Sequence, residues 1–454
     1  MAGKVLIYIL ALSFLLSLIG VVMSRNITFH LTILYSGEEL GELEPCGCSK
    51  GMLGGITRRD TLISSIRKAH PHLLILSTGN IISQPTRQSE MKYQIAMTAM
   101  KHMGYDAINL GDKDLLLGID LLSQIGQNLN APLICANLMT KKGDRRQEAG
   151  GRKQEREIFE PYKVVNIDGL KVGIIGVISK GEERGDRREK SGLQGKLIQP
   201  EKAIGEMMEE IEDKVDLFVL LGCMDMEEAE RIQKKFSSLN LILISSGGEK
   251  PTIRMDSNSK ALIGDVGVKG RYLGKVEMRL KRDGEHLELL DLKHEFIPLG
   301  EDIPKSDEMV QLMGIYQMMV EEEDLAGKVE RRKHQGGRFV GGDVCGGCHE
   351  EAYSIWRESS HSRAYEALVR RGRERDPECL ICHSVGFGYE GGFSGGLEKG
   401  LIGVGCESCH GAGEDHLRSP RERKMHLDVN CRSCHTADKS PKFNYEGYLD
   451  KIRH

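Results

Sequence analysis

Four copies of Cys-x-x-Cys-His fall within the last quarter of this 454-residue chain: Cys345-Gly-Gly-Cys348-His349, Cys379-Leu-Ile-Cys382-His383, Cys406-Glu-Ser-Cys409-His410 and Cys431-Arg-Ser-Cys434-His435. This spacing suits covalent c-type haem attachment: the two thiols bond to the vinyl groups, and the adjacent histidine comes to lie under the iron as an axial ligand. Neither a pair of zinc ribbons nor a disulfide framework requires a histidine after every second cysteine. The motifs therefore predict four covalently bound haem c groups.

Sixth ligands must come from elsewhere. Outside the motifs this stretch keeps four histidines, His361, His416, His426 and His454. Four irons and four spare imidazoles imply bis-histidine ligation, which gives low-spin iron suited to electron transfer. Spacing places His361 inside a helix over Ala352–Leu368, together with the only tryptophan, Trp356. His416 follows the turn Gly411-Ala412-Gly413, and His454 is the last residue, so iron is expected to tie down the chain end. The stretch has few Leu, Ile and Val and many Gly, so the haems are expected to serve as its core. Haem edges packed that closely would form an electron path.

The runs Cys345–His361, Asp376–Gly388 and Gly403–Gly411 resemble the tetrahaem cytochromes that accept electrons from hydroxylamine oxidoreductase. In that family one haem lacks a strong sixth ligand and is high-spin. Here the four spare histidines would suffice to fill every site.

Length and composition frame this. A chain of 454 residues is expected to hold two or three domains. With 39% hydrophobic and 29% charged residues it reads as globular, and a net charge of −4 gives no nucleic-acid signal. At the N-terminus Lys4 precedes Val5–Met23, an uncharged run that as a helix would span about 28 Å, close to the hydrocarbon thickness. We read residues 1–25 as an uncleaved signal anchor, the alternative being a cleaved signal peptide. Either way the body is expected at the outer face of the cytoplasmic membrane, on the periplasmic side, or free in the periplasm. Its expected partners are redox donor and acceptor proteins or a membrane quinol-linked complex.

Residues 26–300 read as α/β. Apolar strands are predicted at Thr28–Tyr35, Leu73–Ser77, Ala107–Leu110, Leu133–Ala136, Lys163–Asn166, Lys171–Val177, Leu217–Leu221, Leu241–Ile244, Lys260–Gly264 and Gly274–Leu280. Helices are predicted at Thr57–Lys68, Gln88–Met103 and Glu201–Asp213. Two charge-dense loops, Lys141–Glu157 and Lys180–Lys190, read as solvated insertions.

Gly104–Asp112, Ala131–Leu138, Asp168–Gly176 and Lys269–Gly274 resemble the catalytic domain of 5′-nucleotidases, in the calcineurin-like metallophosphoesterase superfamily. The resemblance implies a layered sheet-and-helix domain that elsewhere holds two metal ions in a cluster of Asp, His and Asn, which activate water and clamp phosphate. Here those positions differ. Asp-x-His after the first strand becomes Ser36-Gly37-Glu38-Glu39, Gly-Asp becomes Gly79-Asn80, and Gly-Asn-His-Glu becomes Gly111-Asp112-Lys113-Asp114. A later ligand histidine becomes Cys223, and Gly-His-x-His becomes Gly247-Gly248-Glu249-Lys250. Two-metal hydrolysis is not expected to survive these changes, and the domain reads as a scaffold or docking module.

Of the twelve cysteines, Cys46, Cys48, Cys135 and Cys223 lie outside the haem motifs. One reading joins Cys46, Cys48 and Cys223 in a thiolate metal or redox site, with Asp112 and Asn80 as further members; the other leaves them as ordinary loop thiols. Gly51–Gly55 at a helix start is a candidate anion nest. Residues 301–340 read as a linker, with a helix over Asp307–Val329 and glycines that permit reorientation; His334 is an outside candidate for iron. Residues 341–454 form the tetrahaem domain, mainly α and loop and packed by haem. The chain as a whole reads as an electron carrier more than an enzyme. The alternatives are a multihaem oxidoreductase acting on a small nitrogen or sulfur oxyanion at an open haem, and a redox-sensing binding protein.

Overall fold

The structure, a computed structural model, describes residues 27–45, 50–140, 156–157, 159–179, 195–255, 261–284, 286–396, 398–425 and 431–454. The expected signal anchor, Cys46, Cys48, His426 and most of the two charge-dense loops lie outside these residues. Among the described residues no helix is long and apolar enough to cross a membrane.

The strands assemble by burial. β1 (Ile27–Ser36) runs parallel to β2 (Leu73–Ser77), which is followed by β3 (Ala107–Asn109) and β4 (Leu133–Ile134). A second sheet is built on β5 (Tyr162–Ile167), β6 (Leu170–Ile178), β7 (Leu217–Cys223), β8 (Leu239–Ser245), β9 (Thr252–Met255) and β10 (Leu262–Asp265). β11 (Tyr272–Asp283) and β12 (His286–Pro298) return to the first sheet. The orders are β12-β11-β1-β2-β3-β4 and β9-β10-β8-β7-β6-β5.

Alternation along the strands explains why the sheets stack. In β1, Leu31, Ile33 and Tyr35 face the second sheet, while Leu34 faces the helices. In β8, Leu241 and Leu243 point between the sheets and Ile242 and Ile244 point outward. Helices α1 (Ile56–Ala69), α2 (Arg87–Met103) and α3 (Ile119–Leu129) cover the first sheet; α4 (Pro200–Ile211) and α5 (Met226–Lys235) cover the second. The four layers run helix, sheet, sheet, helix. Sequence reasoning missed α3, α5, β9 and β12; β12 is an edge strand with an alternating exposed face, and its charged residues hid it.

Helix α6 (Asp307–Glu322) is shorter than expected and buries Met309, Leu312, Tyr316 and Val320 in the same core as α2. The glycines after it act in close packing. An added Cβ on Gly341, at φ 91°, would stand 3.0 Å from the Gly400 carbonyl oxygen, and one on Gly336 would stand 2.5 Å from that of Ala412. His334 lies edge-on to Phe339 and Tyr389, with ring centres 5.4 and 5.5 Å away.

The C-terminal region is made of short helices: α7 (Gly342–Gly346), α8 (Glu350–Glu358), α9 (Ala364–Val369), α10 (Pro377–His383), α11 (Glu407–His410), α12 (Glu414–Arg418) and α13 (Tyr445–Leu449). The single helix expected over Ala352–Leu368 is two, because serines compete for its carbonyls. Ser359 Oγ donates to Trp356 O at 2.6 Å, and Ser362 Oγ to Arg357 O at 2.8 Å. His361 sits in the resulting break. The region also has a small apolar cluster of its own, Leu368, Leu380, Val385, Phe393 and Leu401 against Ala326.

Candidate functional site

In an α/β fold the C-terminal ends of parallel strands make the natural crevice. β1, β2, β3, β7, β8 and β10 end there in Ser36, Ser77, Asn109, Cys223, Ser245 and Asp265, all buried. The loops that follow are tightly turned: Glu38, Leu40 and Asn80 take φ of 52°, 54° and 59°. Gly79 has φ 89°, and a Cβ there would lie 2.5 Å from the Asn109 carbonyl oxygen.

The crevice pairs many of its polar groups with one another, although Glu38 Oε2 and Asn109 Oδ1 are buried without a hydrogen-bond partner. Asn80 Nδ2 donates to Glu38 Oε1 at 2.7 Å and approaches Cys223 Sγ at 3.5 Å. Cys223 Sγ donates to Asp112 Oδ1 at 3.2 Å. Lys113 Nζ stands 3.7 Å from Glu38 Oε2, so an ammonium is already in place beside that carboxylate. Asp114 gathers the backbone N–H groups of Asn80, Ile81 and Gly111 at 2.7–2.9 Å; burial nevertheless pushes its carboxyl up to about 7. Burial raises Glu38 too, against the pull of Lys113 and Asn80. The Lys113 ammonium stands on the side of Glu38 where a cation would sit, and among the described residues no group of three or more His, Cys, Asp and Glu could hold a metal ion.

Cys223 is fully buried, and burial followed by the nearby Asp112 charge raises its thiol well above the usual value. Its partners in the expected thiolate site, Cys46 and Cys48, lie outside the described residues. Cys135 is buried as well, its Sγ 3.7 Å from Asn137 Oδ1. In the folded protein Cys223 is expected to resist iodoacetamide at about pH 8 and to be alkylated only after denaturation, read by peptide mass spectrometry; rapid native labelling would contradict this placement.

The expected anion nest at Gly51–Gly55 is filled from within the chain. Glu44 accepts from Thr57 N at 3.0 Å and Glu301 from Gly51 N at 2.8 Å, while Lys305 balances Glu44 at 3.0 Å.

The last quarter brings histidines together. His349, between α7 and α8, stands opposite His416 in α12, with ring centres 6.2 Å apart and planes 27° apart. His361 faces His435 at 6.1 Å, and His410 faces His454 at 5.8 Å. Each pair joins a motif histidine to a spare one. His383, His416 and His454 place Nδ1 2.7, 2.7 and 3.0 Å from the carbonyls of Ala364, Arg423 and Ile452. A carbonyl only accepts, so Nδ1 carries the proton, and in His416 and His454 the Nε2 lone pair is left for a metal. His435 sets Nδ1 3.0 Å from Ser440 Oγ and stacks on Phe443 at 4.6 Å and 9°.

The motifs are also close to one another. Cys345 and Cys406 lie within electrostatic reach of each other, as do Cys382 and Cys434. Glu407, inside the third motif and 3% exposed, collects N–H groups from Val340, Gly341 and Gly413 at 2.7–2.9 Å, pinning that motif to the segment leading into the first. His361 is held from both sides: Val404 N donates to its carbonyl at 3.0 Å, and Trp356 Nε1 donates to Val404 O at 2.7 Å.

The two bodies meet at the crevice. Lys269, whose backbone N donates to Glu38 O, joins Arg271 in pairing with Asp438, just beyond the fourth motif. Lys439 reaches Glu42 at 3.2 Å. These cross-body pairs carried no local sequence signal.

Comparison with known proteins agrees with this division. A family model described as Cytochrome c554 and c-prime matches residues 344–411, which hold three of the four motifs. Cytochrome c-554 of Nitrosomonas europaea is 30% identical over 146 residues, covering 24% of this chain and 59% of that protein. A snake venom 5′-nucleotidase of Gloydius brevicauda is 30% identical over 160 residues, covering 34% of this chain and 26% of that protein. A 5′-nucleotidase precursor from Thermus thermophilus aligns with TM-score 0.53 and 20% identity, covering 67% of this chain and 64% of that one. A calcineurin-like phosphoesterase of Bacillus subtilis aligns with TM-score 0.54 and 16% identity, covering 65% and 99%. The N-terminal body thus has the 5′-nucleotidase and calcineurin-like phosphoesterase fold, and the C-terminal region is homologous to cytochrome c-554, whose family implies covalently bound haem c. The chain spans about a quarter of the nucleotidase and under two thirds of the cytochrome.

Proposed function

We propose that this chain is a tetrahaem electron carrier, exported and held by residues 1–25 at the outer face of the cytoplasmic membrane, with a phosphoesterase-like body that does not hydrolyse phosphate esters. The observation that carries the reading is the spacing of the three histidine pairs. Two metal–imidazole bonds of about 2 Å each, plus the depth of both rings, put the ring centres about 6 Å apart, and the observed separations are 5.8–6.2 Å.

On this reading His349, His383, His410 and His435 are the proximal residues; His416 serves the first haem, His454 the third and His361 the fourth. Haem c supplies a one-electron couple at each motif. The protein's part is to orient each imidazole through its Nδ1 hydrogen bond, to keep the attachment cysteines of different motifs adjacent, and to limit water. Cys345 near Cys406 and Cys382 near Cys434 would keep attachment points of different motifs together, which would serve transfer between redox partner proteins or a quinol-linked complex.

The test is a pyridine haemochrome assay on purified protein combined with peptide mass spectrometry. Four haems per chain, one on each motif peptide, are expected, with full reversible reduction by dithionite. A motif peptide recovered with two free thiols would overturn the count.

A further inference from the structure

We infer that the phosphoesterase-like body sets the reduction potential of the haem attached at Cys379 and Cys382, through the ammonium of Lys92. This rests on the reading of that motif as a haem site.

One short helix, α10, carries Cys379, Cys382 and His383. Its N-cap is Asp376, whose Oδ1 accepts from Glu378 N at 3.0 Å. The same oxygen accepts from Gln88 Nε2 of α2 at 2.7 Å, and Gln88 Nε2 also donates to Tyr316 Oη of α6 at 2.7 Å. All three residues are largely buried: Asp376 is 5%, Gln88 8% and Tyr316 2% exposed. The haem-bearing helix is therefore fixed by its N-terminus to two helices of the other body.

One turn further along α2, Lys92 Nζ lies 2.6 Å from Glu378 Oε2. The Lys92 side chain is 8% exposed, whereas that of Glu378 is 58% exposed. The ammonium is thus the shielded member of the pair, and Glu378 immediately precedes Cys379. The carboxylates of this cluster reach the attachment point: before haem is added, burial, then Asp376, with Glu378 also raising it, push the Cys379 thiol up to about 12, opposed by Arg373 and Lys439.

A shielded charge acts over a longer range than a solvated one, and haem potential follows nearby charge and burial. Reduction adds an electron, so a neighbouring ammonium favours the reduced form and a neighbouring carboxylate the oxidised form. Lys92 belongs to the body without haem, and its expected effect is electrostatic, not ligating.

The experiment is a spectropotentiometric titration of full-length haem-loaded protein carrying Lys92→Gln, Glu378→Gln or both. Lys92→Gln should lower one midpoint of the set and Glu378→Gln should raise the same one. The double variant should fall between them, with the remaining midpoints unmoved. Lys92→Arg keeps the charge and should keep the wild-type midpoint; it also serves if Lys92→Gln does not accumulate. All midpoints unchanged in Lys92→Gln, or both single variants shifting the same way, would overturn the inference. A Cys379–Cys382 peptide free of haem, seen by mass spectrometry, would instead sink the haem reading and the inference with it.

Discussion

Alanine in place of His416 is expected to turn one haem of the set from low-spin to high-spin while leaving the protein folded. Oxidised-state EPR should lose one haem's low-spin signal and gain a high-spin one, and added imidazole should reverse the change. The argument is geometric. His416 faces His349 at 6.2 Å, and it projects from α12, a short helix with no buried residues. Its removal opens a coordination position without emptying a core. The haem's potential should rise as well, since loss of an imidazole donor favours ferrous iron. An EPR spectrum identical to wild type would remove His416 from the ligand set. His361→Ala is expected to convert a different haem, the one on the fourth motif.

The second large effect lies in the other body. Arg59 and Glu39 are each 1% exposed and meet at 2.5 Å, with Ser36 Oγ 3.1 Å and Tyr105 Oη 3.4 Å from the same guanidinium nitrogen. Yet Arg59 Nε and Glu39 Oε2 have no hydrogen-bond partner. A buried pair that is incompletely satisfied is worth little as a pair, but breaking it strands a charge. Arg59→Met is therefore expected to cost about 3–5 kcal/mol, and the double change Arg59→Met with Glu39→Leu should recover most of that loss. Urea unfolding of the full chain, followed by far-ultraviolet circular dichroism, measures both. A double variant as unstable as the single one would contradict the account.

Local chemistry was legible in the sequence and distant pairing was not. Each haem motif is a five-residue pattern, and the spare histidines could be named, but which faces which depends on turns such as the serine break before His361. The residues at the strand ends of the crevice could also be named position by position. How they meet could not, because Asn80, Lys113, Asp112 and Cys223 converge from the ends of different strands. Asp376 caps the helix that carries the second motif, and Pro377 suits its first turn. Nothing local announced that Gln88 would share that carboxylate. The position of Cys223 pointed to the crevice, but only the fold revealed how completely it is buried.

The three histidine pairs have an order along the chain. His349 reaches forward to His416, His361 reaches past it to His435, and His410 reaches past that to His454. The spans interleave; none is nested in or separate from its neighbours. If each is closed by a metal, each closure shortens the path that the next must close, because loop-closure entropy grows with the length of free chain. The first closure carries the largest entropic penalty and the later ones progressively less. The region would then assemble, and come apart, as a single cooperative unit and not as four independent beads, although its helices taken one by one are too short to persist in water.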